Sequence, residues 1–283
     1  MPLYNVGPRN SPKSLSYWDI PKAEGTDQPY NMILAVSFGY LIPQRVLKTA
    51  KWAFNVHPSL LPLYPGRTPI HDALLNQDEV TGISIQTMHP KIFDRGLVVS
   101  QTEPVPILSG ESLQSLTTRL TLLSQSHVAD FIQSKKYSTT PTVQDQQFFC
   151  DTSVQKHAPR TQRHISFTSM SGRDLDAHAR VFGSIKAILN LASRKKGQDD
   201  GQQVILSETS FSDERSSDEQ EGTIIAANGK KCMAVACKTG TLFVRTIQIP
   251  SKRKMDAFEF LQTAHLKNHR ITIDPEHSTF SYP

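Results

Sequence analysis

The stretch that decides the fold is Ile33-Leu34-Ala35-Val36-Ser37-Phe38-Gly39, followed by Ala53-Phe54-Asn55-Val56-His57-Pro58. The first is a short apolar run closed by a small, flexible segment, the signature of a strand buried on both faces. Between the two, Pro43 can open a helix that carries Val46, Leu47 and Ala50 on one side. The second run is another strand, ended by Pro58. Working outward, Ile70 to Leu75 reads as a short helix, and Gly82 to Met88 as a strand with Ile83 and Ile85 on one face. Leu97-Val98-Val99 is a further strand, and Leu113, Leu116, Leu120, Leu123, Val128 and Phe131 recur at helical spacing. Strands alternating with helices predict an α/β layer with some parallel pairing. Such sheets hold ligands beyond the carboxyl ends of their strands, where Asn55, His57 and Asp94 fall.

The remaining chain has a different texture. Residues 1–30 contain Pro2, Pro8, Pro12, Pro21 and Pro29 and few periodic apolar positions, and read as coil. The composition turns polar after Lys135, which predicts a linker over 138–165. Arg173 to Leu191 reads as one helix, N-capped by Ser171 with Asp174 in its first turn. From Val204 to Ile247 short apolar runs alternate with turn signals such as Asn228-Gly229 and Thr239-Gly240, which predicts a small OB-like β-barrel. Met255 to His265 reads as a closing helix.

Composition limits the function classes. Hydrophobic residues make up 37% of the 283, and no run approaches ~18 consecutive apolar residues, so a membrane-spanning helix is excluded. Cys150, Cys232 and Cys237 are too few for a disulfide framework, and no CxxC partner set points to zinc. They are expected to be reduced thiols and no metal is expected. Residues 1–30 have no apolar h-region and carry Asp19, Glu24 and Asp27, so neither a signal peptide nor an organelle presequence is visible. The net charge of +5 is uneven. Residues 151–283 hold 19 Lys/Arg against 15 Asp/Glu, and eight of those acids lie in 199–221, expected to be an acidic loop. What remains of that half is a strongly basic surface suited to a polyanion.

The chemistry concentrates in Asn55-Val56-His57-Pro58-Ser59-Leu60-Leu61-Pro62-Leu63-Tyr64-Pro65-Gly66. Three prolines and a glycine make a rigid loop at a strand end. Residues 55 and 57 share one strand face, which sets a carboxamide beside an imidazole. Asp94 follows in Phe93-Asp94-Arg95-Gly96, a tight loop into the next strand. A carboxamide, an imidazole and a carboxylate together can stabilise an oxyanion and move protons during acyl transfer. Taken singly, His57 and Asp94 are also ordinary turn residues, and the triplet alone names no reaction. GxSxG, P-loop and GxGxxG patterns are absent, which disfavours serine hydrolases, P-loop NTPases and dinucleotide binders.

At these residues a resemblance appears. Ser37-Phe38-Gly39-Tyr40-Leu41-Ile42-Pro43, the Asn55–Pro62 block, Gly66-Arg67-Thr68-Pro69-Ile70, Thr81 to Met88 and Phe93-Asp94-Arg95-Gly96 together resemble the folate-dependent formyltransferases. The likeness is strongest to the branch that formylates methionyl-tRNA, of eukaryotic organellar type. It continues more weakly at His164-Ile165-Ser166-Phe167, Gly222-Thr223-Ile224 and Ser251-Lys252-Arg253-Lys254-Met255, and spans roughly residues 31–275.

The resemblance implies an incomplete Rossmann-like catalytic domain with a parallel sheet over 31–137 and a tRNA-binding domain over 166–283. It implies formyl transfer from 10-formyltetrahydrofolate to the α-amino group of initiator methionyl-tRNA, by a monomer in the mitochondrion. By similarity Asn55 polarises the formyl oxygen, while His57 and Asp94 stabilise charge and carry protons. Leu41, Ile42, Met88 and Phe93 line the pterin pocket, and Ser59, Leu60, Leu61 and Pro62 shape its rim. Lys230, Lys231, Lys252, Arg253 and Lys254 are the expected phosphate contacts.

Family members carry strands and βα units before the segment matching Ile33, so the catalytic domain here is expected to be truncated. Ser166-Phe167 also stands where the family has Asp-Trp. Two other readings follow: a non-catalytic tRNA-binding remnant, or a formyltransferase acting on another amine such as that of a nucleotide-linked sugar.

Overall fold

The computed structural model describes residue 15 and residues 20–89, 91–144, 164–191, 201–215, 220–227, 229–263, 271–273 and 278–280. The chain divides into two compact units. One takes Met1–Ala73, Glu79–Ile107 and Leu116–His157. The other takes Leu74–Asp78, Leu108–Ser115 and Ala158–Pro283.

In the first unit the apolar run becomes β1 (Met32–Val36), and α1 (Gln44–Leu47) begins after Pro43. The next apolar run becomes β2 (Trp52–His57), followed by α2 (Pro69–Leu75) and the two-residue β3 (Val80–Thr81). Then come β4 (Ser84–Thr87), β5 (Val98–Gln101), β6 (Val105–Pro106) and the long α3 (Leu113–Gln133). The main sheet runs β1-β2-β4-β5. The expected parallel sheet is corrected: among the described residues β1 and β2, joined by a helical crossover, pair in parallel, whereas β4 runs antiparallel to both β2 and β5.

The two faces of β2 pack differently, as the period of two requires. Ala53 joins Ala35, Ile42, Val46 and Leu47 in one cluster. Phe54 turns the other way and meets Phe131 of α3 edge-on, with ring centroids 5.2 Å apart.

The long carboxy-terminal segment of the second unit begins with β7 (His164–Ile165) and α4 (Gly172–Phe182). Ser171 caps α4 as expected, in a capping box with Asp174. The single helix expected through Leu191 is corrected here. Gly183, at φ 84°, ends α4, and the chain continues as β8 (Ile185–Leu191). Ile185, Ala187 and Leu189 are buried at period two, which the overlapping positions Ile185, Ile188 and Leu189 had disguised as a helical stripe.

The expected acidic loop over 199–221 is also corrected, because its middle is the eleven-residue β9 (Gln202–Ser212), whose Val204 and Leu206 point into the core. There follow β10 (Ile224–Ala227), β11 (Cys232–Ala236), β12 (Thr241–Gln248), β13 (Met255–Asp256) and α5 (Ala257–Gln262). The last elements are β14 (Ile271–Ile273) and β15 (Ser278–Phe280). The closing helix is therefore shorter than expected, since Asp256 caps α5 by accepting from Phe258 N–H and Glu259 N–H. Asn228 and Cys150 lie outside the described residues, as do most of 1–30 and of the linker.

The sheet runs β10-β11-β12-β9-β8-β15-β7, with β14 on β8. A Thr223–Thr272 bridge and the bond from Ile273 N–H to Gly222 O tie β14 back toward β10, so the sheet nearly closes into a barrel. Its core holds Val204, Met233, Val235, Leu242 and Val244, with Leu175 of α4 and Leu261 of α5. Cys232 and Cys237 are free and buried, and burial pushes the Cys237 thiol up to about 12.

Candidate active site

β2 is an inner strand, between β1 and β4, so its side chains are fixed by pairing on both edges. Ala53, Asn55 and His57 share one of its faces. The antiparallel register with β4 sets Gln86 across from Asn55 and Ser84 across from His57. The chain then turns through a tight loop into β5. Asp94 takes φ 52° there, a left-handed conformation that aspartate tolerates better than most residues. A Cβ on Gly96 would stand 1.6 Å from the Thr87 carbonyl oxygen, so only glycine lets the loop lie so close to β4.

This loop delivers Asp94 onto the face of Asn55 and His57. Its Oδ1 accepts from Asn55 Nδ2 at 2.8 Å and from Gln86 Nε2 at 2.7 Å, while Oδ2 accepts from Gly66 N–H at 2.8 Å. His57 Nδ1 faces the same Oδ1 at 3.5 Å, and both side chains are about 95% buried, at 4% and 5% exposure. His57 Nε2 donates to the Tyr64 carbonyl at 2.9 Å, which places one imidazole proton on Nε2. Nδ1 is therefore the nitrogen left to exchange a proton, and the carboxylate is its neighbour. The structure brings the three expected residues together, with Asn55 rather than His57 as the short-range donor to Asp94. Asn55 Nδ2 has a second hydrogen that Asp94 does not use.

Two participants were missed in the sequence. Gln86 donates to Asp94 and accepts from Gly96 N–H at 3.2 Å, bridging the two ends of the turn. Ser84, fully buried, bonds the loop that follows His57. Their signal was the polar half of the alternation Ile83-Ser84-Ile85-Gln86 in a strand short enough to be wholly buried.

The other expected residues are spread along the same unit. Ser59 is buried and its hydroxyl donates to Leu63 O at 2.7 Å. Leu61 is buried, Leu60 half-buried and Pro62 exposed. Leu41 is half-buried, whereas Ile42 is a core residue beside Val46 and Leu47. Met88 packs against that core cluster and Phe93 is exposed. A cavity of about 750 Å³ lies away from the triplet, at the N-terminal ends of β1 and β2, lined by Asn31, Lys48, Lys51 and Thr142 among others. Among the described residues no group of three His, Cys, Asp or Glu is placed to hold a metal ion.

In the second unit all five expected phosphate contacts are exposed, but they are not equivalent. Lys254 Nζ lies 2.8 Å from Glu208, and Lys230 Nζ sits 3.7 Å from the centre of the Phe243 ring. Lys231 stands in the β10–β11 turn and Lys252 and Arg253 in the β12–β13 connection.

Known proteins place this arrangement. The formyl transferase family model matches residues 22–131, and the model of the formyl transferase C-terminal domain matches 159–265. The chain belongs to the formyl transferase family. Asn55, His57 and Asp94 fall within the first of these matches, and most of the barrel within the second. The mitochondrial methionyl-tRNA formyltransferase of Saccharomyces cerevisiae is 52% identical over 87 residues, 31% of this chain and 22% of that protein. The methionyl-tRNA formyltransferase of Ehrlichia chaffeensis is 26% identical over 266 residues, covering 93% of this chain and 80% of its own length. Two solved structures share the fold. HypX of Aquifex aeolicus superposes with a TM-score of 0.51 at 14% identity, over 86% of this chain and 40% of its own. The N-formyltransferase of Helicobacter canadensis gives 0.50 at 13% identity, over 75% and 72%.

Proposed function

We propose that this formyl transferase moves the formyl group of 10-formyltetrahydrofolate to the α-amino group of initiator methionyl-tRNA, in the mitochondrion. The observation that carries the reading is the gathering of Asn55, His57 and Gln86 around the Asp94 carboxylate at the carboxyl end of β2. In the reaction the amine nitrogen attacks the formyl carbon and the carbonyl electron pair moves onto oxygen. The Asn55 N–H that Asp94 leaves unused answers that negative charge. The proton lost by the nitrogen passes, through water, to the pair formed by His57 Nδ1 and Asp94 Oδ1. The carbon–N10 bond then breaks, N10 takes up the proton that the pair releases through water, and tetrahydrofolate leaves. Each oxyanion donor is worth ~3–4 kcal/mol of barrier, so a fixed carboxamide is a large part of such catalysis.

The second unit supports a tRNA as the acceptor. An exposed basic set on a barrel suits a polyanion, and a small amine needs no such surface. The yeast relative's mitochondrial name supports the compartment, over the 87 residues it shares with this chain.

The test is an assay of the purified chain with 10-formyltetrahydrofolate and charged tRNA, reading N-formylmethionine after hydrolysis of the ester. Formylation of initiator methionyl-tRNA is expected. Binding of tRNA without binding of a folate analogue would make the chain a non-catalytic tRNA binder. Formylation of a nucleotide-linked aminosugar in preference to the tRNA would reassign the acceptor.

A further inference from the structure

The loop after β2 carries two backbone groups on which the site depends. Tyr64 O accepts from His57 Nε2, and Gly66 N–H donates to Asp94 Oδ2. Something has to hold this loop against the sheet, because its prolines stiffen it without attaching it. The attachment is a compact polar cluster beneath it. Ser84 Oγ donates to Ser59 O at 2.6 Å and accepts from Leu61 N–H at 2.9 Å. Gln101 Nε2, from β5, spends one hydrogen on Ser84 Oγ at 2.9 Å and the other on Leu61 O at 2.8 Å. Both polar groups of the Leu61 backbone and the carbonyl of Ser59 are thus held by two side chains from neighbouring strands. Ser84 is 0% exposed and stands directly across from His57 in the β2–β4 register.

We propose that Ser84, with Gln101, is a positioning residue for formyl transfer: it latches the loop 58–66 to the sheet and so sets the ring of His57 and the carboxylate of Asp94. The inference rests on the catalytic reading of the triplet. Neither side chain touches a reacting atom; both act through the carbonyl of Tyr64 and the amide of Gly66. A latch of this kind matters for turnover more than for binding, since a small misplacement of catalytic groups is costly where they must meet a developing charge.

The test uses the full chain and two independent readouts, formylation kinetics and residue-resolved amide hydrogen exchange. Ser84→Ala removes both the donor to Ser59 and the acceptor for Leu61. Expected are a fall in kcat of between about tenfold and a hundredfold, with KM for donor and acceptor within about twofold. Exchange at the Leu61 and Gly66 amides is expected to quicken by about tenfold. Ser84→Thr keeps the hydroxyl and suits a strand, and is expected to restore both readouts. Gln101→Leu, at the exposed edge of β5, loosens the same loop and serves if Ser84→Ala does not fold.

Unchanged exchange at Gly66 in Ser84→Ala or Gln101→Leu overturns the latch, as does a wild-type kcat in either. A loss carried by KM alone also overturns it. If the wild-type chain itself transfers no formyl group, the proposed function fails, while the exchange measurement still decides whether Ser84 and Gln101 hold the loop.

Discussion

Replacing Asp94 by Asn separates the charge of this carboxylate from its shape. The backbone is not at issue, because asparagine tolerates the left-handed φ of 52° as well as aspartate does. The side chain has two ways to sit. With its oxygen in the place of Oδ1 it still accepts from Asn55 and Gln86, but its amide then faces Gly66 N–H at about 2.8 Å, donor against donor. Flipped, it opposes two donors instead of one, so the first orientation wins. The structural loss is the Gly66 N–H and the new amide N–H left facing each other, about 1–3 kcal/mol for each unsatisfied group. For a chain of this size that is a fall in Tm of about 2–4 °C per kcal/mol. The chemical loss is larger. His57 Nδ1 no longer faces a negative charge, and the proton-accepting pair is gone. Removing general acid–base help costs about 10²–10⁴-fold in rate. Formylation assays on Asp94→Asn are therefore expected to give a kcat lower by that factor. Calorimetry with a folate analogue should give a Kd within a few-fold of wild type. A kcat within threefold of wild type, together with the lowered Tm, would show that Asp94 only braces the loops and that the assignment of its charge is wrong.

Four further outcomes are expected. Asn55→Ala and His57→Ala should each cut kcat by about 10²–10³-fold with thermal melts still cooperative, Asn55 through the lost oxyanion donor and His57 through the lost proton carrier. Gly96→Ala should lower stability by at least the upper end of the usual ~1–3 kcal/mol for overpacking, because its Cβ meets the Thr87 carbonyl; an unchanged melting temperature would contradict the close approach. Burial, the largest cause, holds the imidazoles of His71, His127 and His178 below their ordinary pKa, so below pH ~6.5 the unfolded chain takes up protons that the folded chain does not. Stability should thus fall as pH drops below ~6.5 and level off above it, and His178→Gln should flatten the slope measured by calorimetry. In tRNA binding, Lys252→Ala and Arg253→Ala should each lower the slope of log K against log salt by about one, and Lys254→Ala by less, since Glu208 already neutralises it.

Much of this molecule was legible in one dimension. Short apolar runs bounded by glycine and proline located β1 and β2, and helical spacing located α3, because burial on both faces of a strand or on one stripe of a helix leaves a period in the sequence. The same reading failed at Ile185–Leu191, where the apolar positions satisfy two periods at once and the choice fell to Gly183 and to the strands on either side of β8. Within 199–221 the apolar run from Val204 to Leu206 was legible, but the acids around it suggested a loop, whereas β9 runs on to Ser212 and carries just one of them, Glu208.

The division is clearest at the site. Sequence by itself determined which chemical groups are present: two residues on one strand face and an acid before a glycine were named without coordinates. Only the tertiary structure decided whom they bond. Asp94 reaches Asn55 because the turn into β5 folds back over β4. Gln86 and Ser84 belong to the site because an antiparallel register sets them opposite Asn55 and His57. Register and loop closure are relations between segments far apart in the chain, set by the packing of the whole sheet, and no local pattern of residues encodes them.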